Sequence, residues 1–192
     1  DIKFDNDEKE LEAYRDSFVV NCANGCRWGD HHHQDTIYQD DSGKWYFIIP
    51  RTEKNKSINV KIPVYDSNVI EIFKKYGNKF PKINIEQTYN DKIKIIALRA
   101  GLTALHKATT INAKTRNLDH KEPIPIWKIC SSKVARKTAI SNWIREYQVP
   151  LPIAMSWSNH KSEASFRVYV KLTAEEYFEL ASKLMDRIGL ND

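Results

Sequence analysis

The stretch Ser131-Ser132-Lys133-Val134-Ala135-Arg136-Lys137-Thr138 lies at the start of a helical pattern in the C-terminal half of the chain. Lys133 and Arg136 stand three residues apart, so on a helix they share one face. Two cations on one face suit an anionic ligand, but an ordinary solvated basic face has the same composition. The stretch alone leaves both interpretations open.

Two further stretches follow at defined distances from this box. In Trp157-Ser158-Asn159-His160-Lys161-Ser162, the histidine lies 24 residues after Arg136. In Ser165-Phe166-Arg167-Val168-Tyr169-Val170, the tyrosine lies nine residues after His160. An imidazole can move protons near neutral pH, and an activated phenol can act as a nucleophile. Taken singly, His160 also fits a helix cap and Tyr169 a core aromatic.

A further cation stands in the N-terminal half, just beyond a predicted helix. Apolar residues recur at helical spacing between positions 7 and 24, and Gly25 stands where a C-terminal cap is expected. Arg27 follows two residues later, with Asp30 three residues beyond it. The alternative for Arg27 is a helix-end arginine that balances the helix dipole and pairs with Asp30.

Together these stretches resemble the tyrosine recombinase (phage-type integrase) family, and most closely the integrases of mobile elements. The catalytic domain of that family carries an arginine box at a helix end and later an H/K-x-x-R box. A His or Trp and then a nucleophilic Tyr follow at the spacing observed here. Residues 24–30 match the first box, and residues 133–136 match the second. His160 and Tyr169 complete the order, and the match covers nearly the whole chain.

The resemblance implies a catalytic lysine on a β-hairpin between the two arginine boxes. Lys54 is our choice and Lys56 the second, with a solvated hairpin turn as the alternative explanation of both lysines. The implied catalytic set is Arg27, Lys54, Lys133, Arg136, His160 and Tyr169.

Three positions depart from the family pattern. Lys133 stands where the family usually has His, Asn159 replaces the usual Gly before the histidine, and Cys26 replaces the usual Leu before the first arginine. A lysine keeps its charge at neutral pH, so we interpret Lys133 as an electrostatic contact to phosphate. None of the departures removes a catalytic group.

Physical reasons make the set coherent. A phosphodiester resists nucleophiles because it is anionic, and the planar forks of Arg27 and Arg136 can each hold two of its oxygens. The leaving 5′-oxygen needs a proton, which Lys54 can donate. An unperturbed phenol is mostly protonated at neutral pH, so a cationic field or a base must activate Tyr169, and His160 and Lys133 are the candidates. The expected product is a covalent 3′-phosphotyrosine, formed without ATP or metal.

The predicted fold is α+β and mostly helical, with a small three-stranded antiparallel sheet. Short β-prone segments at 37–38, 44–50 and 58–64 are separated by polar turns. Helical patterns cover 67–76, 85–100, 132–147, 152–157 and 162–170, and a capping box at Thr173 opens a last helix. Residues 103–130 lack periodicity and predict a long ordered loop that could contain a β-hairpin.

Residues 1–192 are expected to form a single catalytic domain. Tyrosine recombinases usually carry an additional N-terminal helical domain that clamps the DNA, so the resemblance implies that this chain is a fragment. The last helix has two possible places, on its own domain or on a neighbouring protomer, and both remain open.

The sequence also contains a stretch that imitates a metal site. Three histidines at 31–33 lie between Asp30 and Asp35, shortly after Cys22 and Cys26. Consecutive histidines cannot all turn toward one ion, and no second Cys or His pair stands at zinc-finger spacing. We therefore predict no metal and no cofactor.

Composition narrows the class of protein further. The net charge of +5 fits an anionic partner, no apolar run reaches membrane-spanning length, and the three cysteines are expected to be reduced thiols. We expect a cytoplasmic, bacterial or phage-encoded protein that binds double-stranded DNA. It should be monomeric in isolation and form a tetrameric synapse on DNA. The rivals are a type IB topoisomerase-like enzyme and an inactive DNA-binding protein of the same fold.

Overall fold

The computed structural model describes residues 9–33, 36–53, 56–80, 83–107, 109–111, 118–120, 122–170 and 174–187. Eight α-helices lie in these ranges: α1 (Lys9–Asn24), α2 (Ser67–Lys75), α3 (Glu86–Arg99), α4 (Ile126–Ile129), α5 (Ser132–Arg145), α6 (Leu151–Ser158), α7 (Glu163–Arg167) and α8 (Ala174–Arg187). A 3-10 helix spans Trp28–His33. The strands are β1 (Tyr38–Gln39), β2 (Trp45–Glu53), β3 (Lys56–Pro63), β4 (Leu105–His106), β5 (Thr109–Ile111), β6 (Leu118–His120) and β7 (Ile124–Pro125).

The predicted α+β class is confirmed: the chain is mostly helical, with one three-stranded antiparallel sheet of order β1-β2-β3. The β2–β3 register pairs Phe47 with Ile62 and Ile49 with Val60. Alternate residues of β2 face the core because side chains alternate across a strand, and Phe47 and Ile49 are buried there. On the outer face, the Lys61 ammonium lies 4.7 Å from the centre of the Tyr46 ring.

The main core joins this sheet to the helices that follow and precede it. Trp143 of α5 is fully buried, and its Nε1 donates to the carbonyl of Ala23 at the end of α1 over 3.1 Å. Phe166 of α7 and Ala154 of α6 belong to the same buried cluster. Because α1 packs along α5, the two arginine-bearing segments of the sequence are brought side by side.

A second buried cluster lies where α1 meets α3. Tyr89 and Ile93 of α3 pack there against Leu11 of α1 and against Cys130, just before α5. The Asn21 amide of α1 donates to the Tyr89 hydroxyl over 3.1 Å, and burial raises the pKa of that phenol. This contact ties α3 to α1 within the apolar interface.

The segment at 103–130 is more regular than its lack of periodicity predicts. Strands β4 and β7 pair antiparallel, and β5 and β6 pair antiparallel between them, so the segment contains a long interrupted hairpin followed by α4. The pairs are two or three residues long, too short to leave a period in the sequence. Within the described residues, no helix is long and apolar enough to cross a membrane.

The last two helices of the described chain are α7 and α8. The segment at 162–170 is helical only over Glu163–Arg167, so Tyr169 lies in the turn after α7 and not on the helix. Ser162 caps α7 by accepting from the backbone N–H of Ser165 over 3.3 Å. The capping box at Thr173 lies outside the described residues, although α8 begins at Ala174.

Candidate active site

Arg136 is the centre of the site, and it is only 5% exposed. Its Nη1 donates to the carbonyl of Gly25 over 2.6 Å, and its Nη2 donates to the carbonyl of Ser158 over 2.5 Å. Burial, and then the nearby Arg27, lower the pKa of this guanidinium from its usual value. A guanidinium has five N–H donors, so two carbonyl bonds fix its plane and leave donors for a ligand.

Gly25 makes this contact possible through its backbone. Its φ of +63° is the left-handed conformation that ends α1, and its N–H donates to the carbonyl of Asn21 over 3.1 Å. A Cβ at this position would lie 2.6 Å from the Trp143 ring. The glycine therefore lets the end of α1 approach α5 closely enough for its carbonyl to meet Arg136.

Arg27 is exposed and reaches toward the loop after α6. Its Nη2 donates to the carbonyl of Asn159 over 3.5 Å, the long limit of a hydrogen bond. Asn159 adopts φ 55° and ψ 41°, a left-handed conformation that closes α6. Asn tolerates this region better than most residues, so it can replace the glycine usual in the family.

His160 lies beside both Tyr169 and the buried arginine. Its ring centre is 4.9 Å from that of Tyr169 and 5.3 Å from that of Phe166. The Nδ1 atom lies 2.7 Å from the hydroxyl of Ser158. Burial, followed by the charges of Arg136 and Arg27, lowers the pKa of His160 to about 4, so the ring is neutral at neutral pH.

Tyr169 is held by its backbone at the end of α7. Its N–H donates to the carbonyl of Phe166 over 2.9 Å, and its carbonyl accepts from the Ser141 hydroxyl over 3.1 Å. The guanidinium carbon of Arg136 lies 5.9 Å from the centre of the tyrosine ring. The half-buried phenol is therefore placed between a cation and a neutral imidazole.

An open cleft of about 390 Å³ joins most of these groups. It is lined by Cys26, Arg27, Trp28, Gly29, Glu86, Ser132, Lys133, Arg136, Lys137 and Tyr169. Of the predicted residues, four lie on this cleft and His160 adjoins it through Tyr169. The cleft can accept an anion, because four cations line it against one carboxylate.

The N-terminus of α5, which carries Lys133, is anchored by two residues that the sequence analysis did not single out. The backbone N–H of Ser132 donates to the side-chain oxygen of Asn90 over 2.9 Å, and the Ser132 hydroxyl donates to Glu86 over 2.7 Å. Both partners belong to α3 and stand four residues apart. The spacing is an ordinary helical one, so no pattern in the sequence marks them.

The predicted hairpin lysine, Lys54, lies outside the described residues. Residue 55 and the side chain of Lys56 also lie outside them, although the Lys56 backbone pairs with that of Glu53. The backbone at residues 31–33 is in the 3-10 helix, and those histidine side chains are likewise undescribed. Among the described residues, no group of three or more His, Cys, Asp or Glu could hold a metal ion.

Comparisons with known proteins bear on the fold. No protein-family model matches the sequence, and no curated protein matches it significantly. Among solved structures, the chain is similar to the XerH site-specific recombinase, bound to its difH substrate in a pre-cleavage complex. The TM-score is 0.58 at 11% sequence identity, over 94% of this chain and 48% of that one. The chain thus has the fold of a tyrosine recombinase catalytic domain and spans about half the length of that recombinase.

Proposed function

We propose that the protein is a site-specific DNA recombinase or integrase, in which Tyr169 cleaves and rejoins DNA strands through a covalent 3′-phosphotyrosine. The observation that carries the proposal is the position of Arg136, a nearly buried cation that contacts Gly25, Ser158 and the Tyr169 ring. One guanidinium thus joins the three motifs, and Arg136 is among the residues that line the cleft. The likeness to a DNA-bound recombinase agrees with this function.

The cations of the cleft perform the electrostatic part of the reaction. Arg27 and Arg136 hold the two non-bridging oxygens of the scissile phosphate, and Lys133 contributes a further charge from the first turn of α5. Donors aimed at the transition-state charge are each worth about 10² to 10³ in rate. With the phosphate held there, the Tyr169 oxygen attacks phosphorus and the 5′-oxygen leaves.

The leaving oxygen takes a proton, which we assign to Lys54 on the β2–β3 connection. The energy of the broken ester is kept in the phosphotyrosine, so a 5′-hydroxyl can reverse the attack and reseal the strand. The reaction requires neither ATP nor metal. The partner is double-stranded DNA.

Self-association on DNA is part of the proposal, and α8 supports it. Arg145 of α5 pairs with Glu176 of α8 over 2.9 Å, which attaches the helix to its own domain. Phe178 on the same helix is nevertheless 73% exposed, and Met185 is exposed as well. These apolar side chains can be covered by a neighbouring protomer in a synapse.

Covalent capture tests the proposed function. The protein is incubated with nicked suicide duplexes that carry a randomised central sequence, and adducts are separated on a denaturing gel. Wild type and Tyr38→Phe, an exposed tyrosine outside the cleft, should form an adduct, and Tyr169→Phe should form none. If the wild type forms no adduct, the proposed function is wrong. If Tyr169→Phe still forms an adduct, Tyr169 is not the nucleophile.

The assignment of Lys54 has its own test. A duplex whose 5′-bridging oxygen is replaced by sulfur releases a thiolate, which needs no proton to leave. Lys54→Ala should therefore be inactive on ordinary DNA and recover cleavage on the sulfur substrate, whereas Arg136→Ala should recover on neither. Rescue of Lys56→Ala in place of Lys54→Ala would move the role to the second lysine.

A further inference from the structure

Ser158 joins the buried arginine to the histidine of the site. It is fully buried at the C-terminal end of α6, and its carbonyl accepts from Arg136. Its hydroxyl oxygen lies 2.7 Å from the carbonyl of Ala154, 3.3 Å from that of Met155 and 2.7 Å from Nδ1 of His160. One hydroxyl therefore meets two carbonyl oxygens and a ring nitrogen.

Counting protons fixes the tautomer of His160. A carbonyl oxygen can only accept, so the single hydroxyl proton of Ser158 is donated to the Ala154 carbonyl, the nearer of the two. The short contact to Nδ1 is a hydrogen bond only if Nδ1 carries a proton and donates it to the hydroxyl oxygen. In a neutral imidazole, Nε2 then has a free lone pair.

We propose that Ser158 is a positioning residue, which holds His160 as the Nδ1–H tautomer so that Nε2 accepts the phenolic proton of Tyr169. The inference rests on the proposed function. It gives the role of proton acceptor to His160, because a lysine ammonium at position 133 has no lone pair to accept a proton. The ring centres of His160 and Tyr169 lie 4.9 Å apart, which brings the two side chains into direct contact.

The O–H bond of Tyr169 breaks, its proton moves to Nε2, and the phenolic oxygen forms a bond to phosphorus. The bond from phosphorus to the 5′-oxygen breaks and leaves its electron pair on that oxygen, which is protonated by the proposed Lys54. Resealing reverses both transfers, and the imidazolium returns its proton to Tyr169.

The charged groups around His160 make its basicity depend on whether DNA is bound. Arg136 faces it from α5, Arg27 from the segment after α1, and Tyr169 from the turn after α7. In the free protein, burial and the two cations hold the pKa of His160 near 4, which makes it a weak base. A phosphate anion between the arginines offsets their field and strengthens the base when substrate is in place.

The tautomer can be observed directly by ¹⁵N NMR of the histidine rings, with His160→Gln used to assign the signals. At pH 7 and without DNA, His160 should have a protonated Nδ1 and an unprotonated Nε2. Ser158→Ala should lose this preference, whereas Ser156→Ala, an exposed serine on the same helix, and Ser158→Thr, which retains the hydroxyl, should keep it. An unprotonated Nδ1 in the wild type overturns the inference.

Single-turnover cleavage of the captured suicide duplex tests the function of the tautomer. Ser158→Ala should slow cleavage about 10-fold or more. This is part of the rate enhancement of roughly 10²- to 10⁴-fold that a general base contributes. In a His160→Ala background, Ser158→Ala should not lower the cleavage rate further, because Ser158 affects cleavage only by positioning the His160 ring. An equal loss in both backgrounds overturns the inference. An inactive wild type would refute the proposed function, and NMR would still decide the tautomer.

Discussion

At the scale of single residues, spacing in the sequence predicts which groups meet but not how they are oriented. The motif order that resembles the tyrosine recombinase family points to Arg27, Lys133, Arg136 and Tyr169, and all four line one cleft. Ser158 was missed because its role depends on a hydroxyl placed between a carbonyl and a ring nitrogen. No sequence pattern encodes that geometry.

Asn159 illustrates how a departure from a family pattern acquires a physical meaning. In the sequence it is only a replacement of the usual glycine. In the structure Asn159 has a left-handed backbone conformation. Gly and Asn adopt this conformation at a lower free-energy cost than other residues, which explains why either can stand at this position. The departure therefore preserves the turn that presents the Asn159 carbonyl to Arg27.

The pKa of His160 predicts how stability depends on pH. Its folded value of about 4 lies below the unfolded value, so the unfolded chain binds more protons between about pH 6.5 and pH 4. The His160 contribution is present above pH 6.5 and is lost as the pH falls through this window. His160→Gln should reduce the acid sensitivity measured by urea unfolding across that range.

The exposed His106 provides the control for this prediction. His106→Gln should leave the pH dependence of the unfolding free energy unchanged. If the unfolding free energy depends on pH identically in wild type and His160→Gln, the pKa of the His160 ring is not lowered in the folded state.

At the scale of elements, most helices and the sheet could be predicted because each has a clear period and turn residues at its ends. The exceptions have physical causes. The strands at 105–125 are defined by cross-strand pairing rather than by local sequence. The helix α7 ends before Tyr169 although the helical pattern continues to Val170, so local propensity did not fix its end.

The end of α1 yields a matched pair of substitutions. Gly25 and Gly77 have nearly equal positive φ values, 63° and 61°, but a Cβ on Gly25 meets the Trp143 ring while one on Gly77 meets nothing within 4 Å. Both alanine variants pay a left-handed penalty of about 1 to 2 kcal/mol. Gly25→Ala should cost a further 1 to 3 kcal/mol or so, because it overpacks the core.

Denaturant unfolding of the two variants measures the difference. Gly25→Ala should also weaken DNA cleavage, since it displaces the carbonyl that holds Arg136, whereas Gly77→Ala should not. Equal unfolding free energies for the two variants would contradict the close packing of α1 on α5.

At the scale of the whole molecule, the sequence predicts the fold class but not which charged side chains lie together in space. The net charge of +5 is spread over 30 basic and 25 acidic side chains, and composition does not say which of them face one ligand. The fold brings α1, α3 and α5 together around a cleft where cations outnumber carboxylates. This local excess, rather than the net charge, is what supports a phosphate partner.

The salt dependence of DNA binding tests whether the excess of cations in the cleft contacts DNA phosphates. The logarithm of the DNA association constant should fall linearly with the logarithm of salt concentration, and Arg27→Ala should reduce the slope by about 0.9, the value of one phosphate contact. Lys74→Ala, which removes an exposed cation paired with Glu71 outside the cleft, should leave the slope unchanged. A slope that responds equally to both changes would place the DNA elsewhere on the surface.

In the proposed reaction Tyr169 becomes covalently joined to DNA, and mass spectrometry of the adduct can identify the residue that carries the DNA. After capture of a suicide duplex, nuclease and trypsin digestion releases the peptide Val168-Tyr169-Val170-Lys171, which follows Arg167 in the sequence. This peptide should carry a nucleotide through a 3′-phosphate on its tyrosine. Attachment of the nucleotide to any other peptide would contradict the proposed reaction.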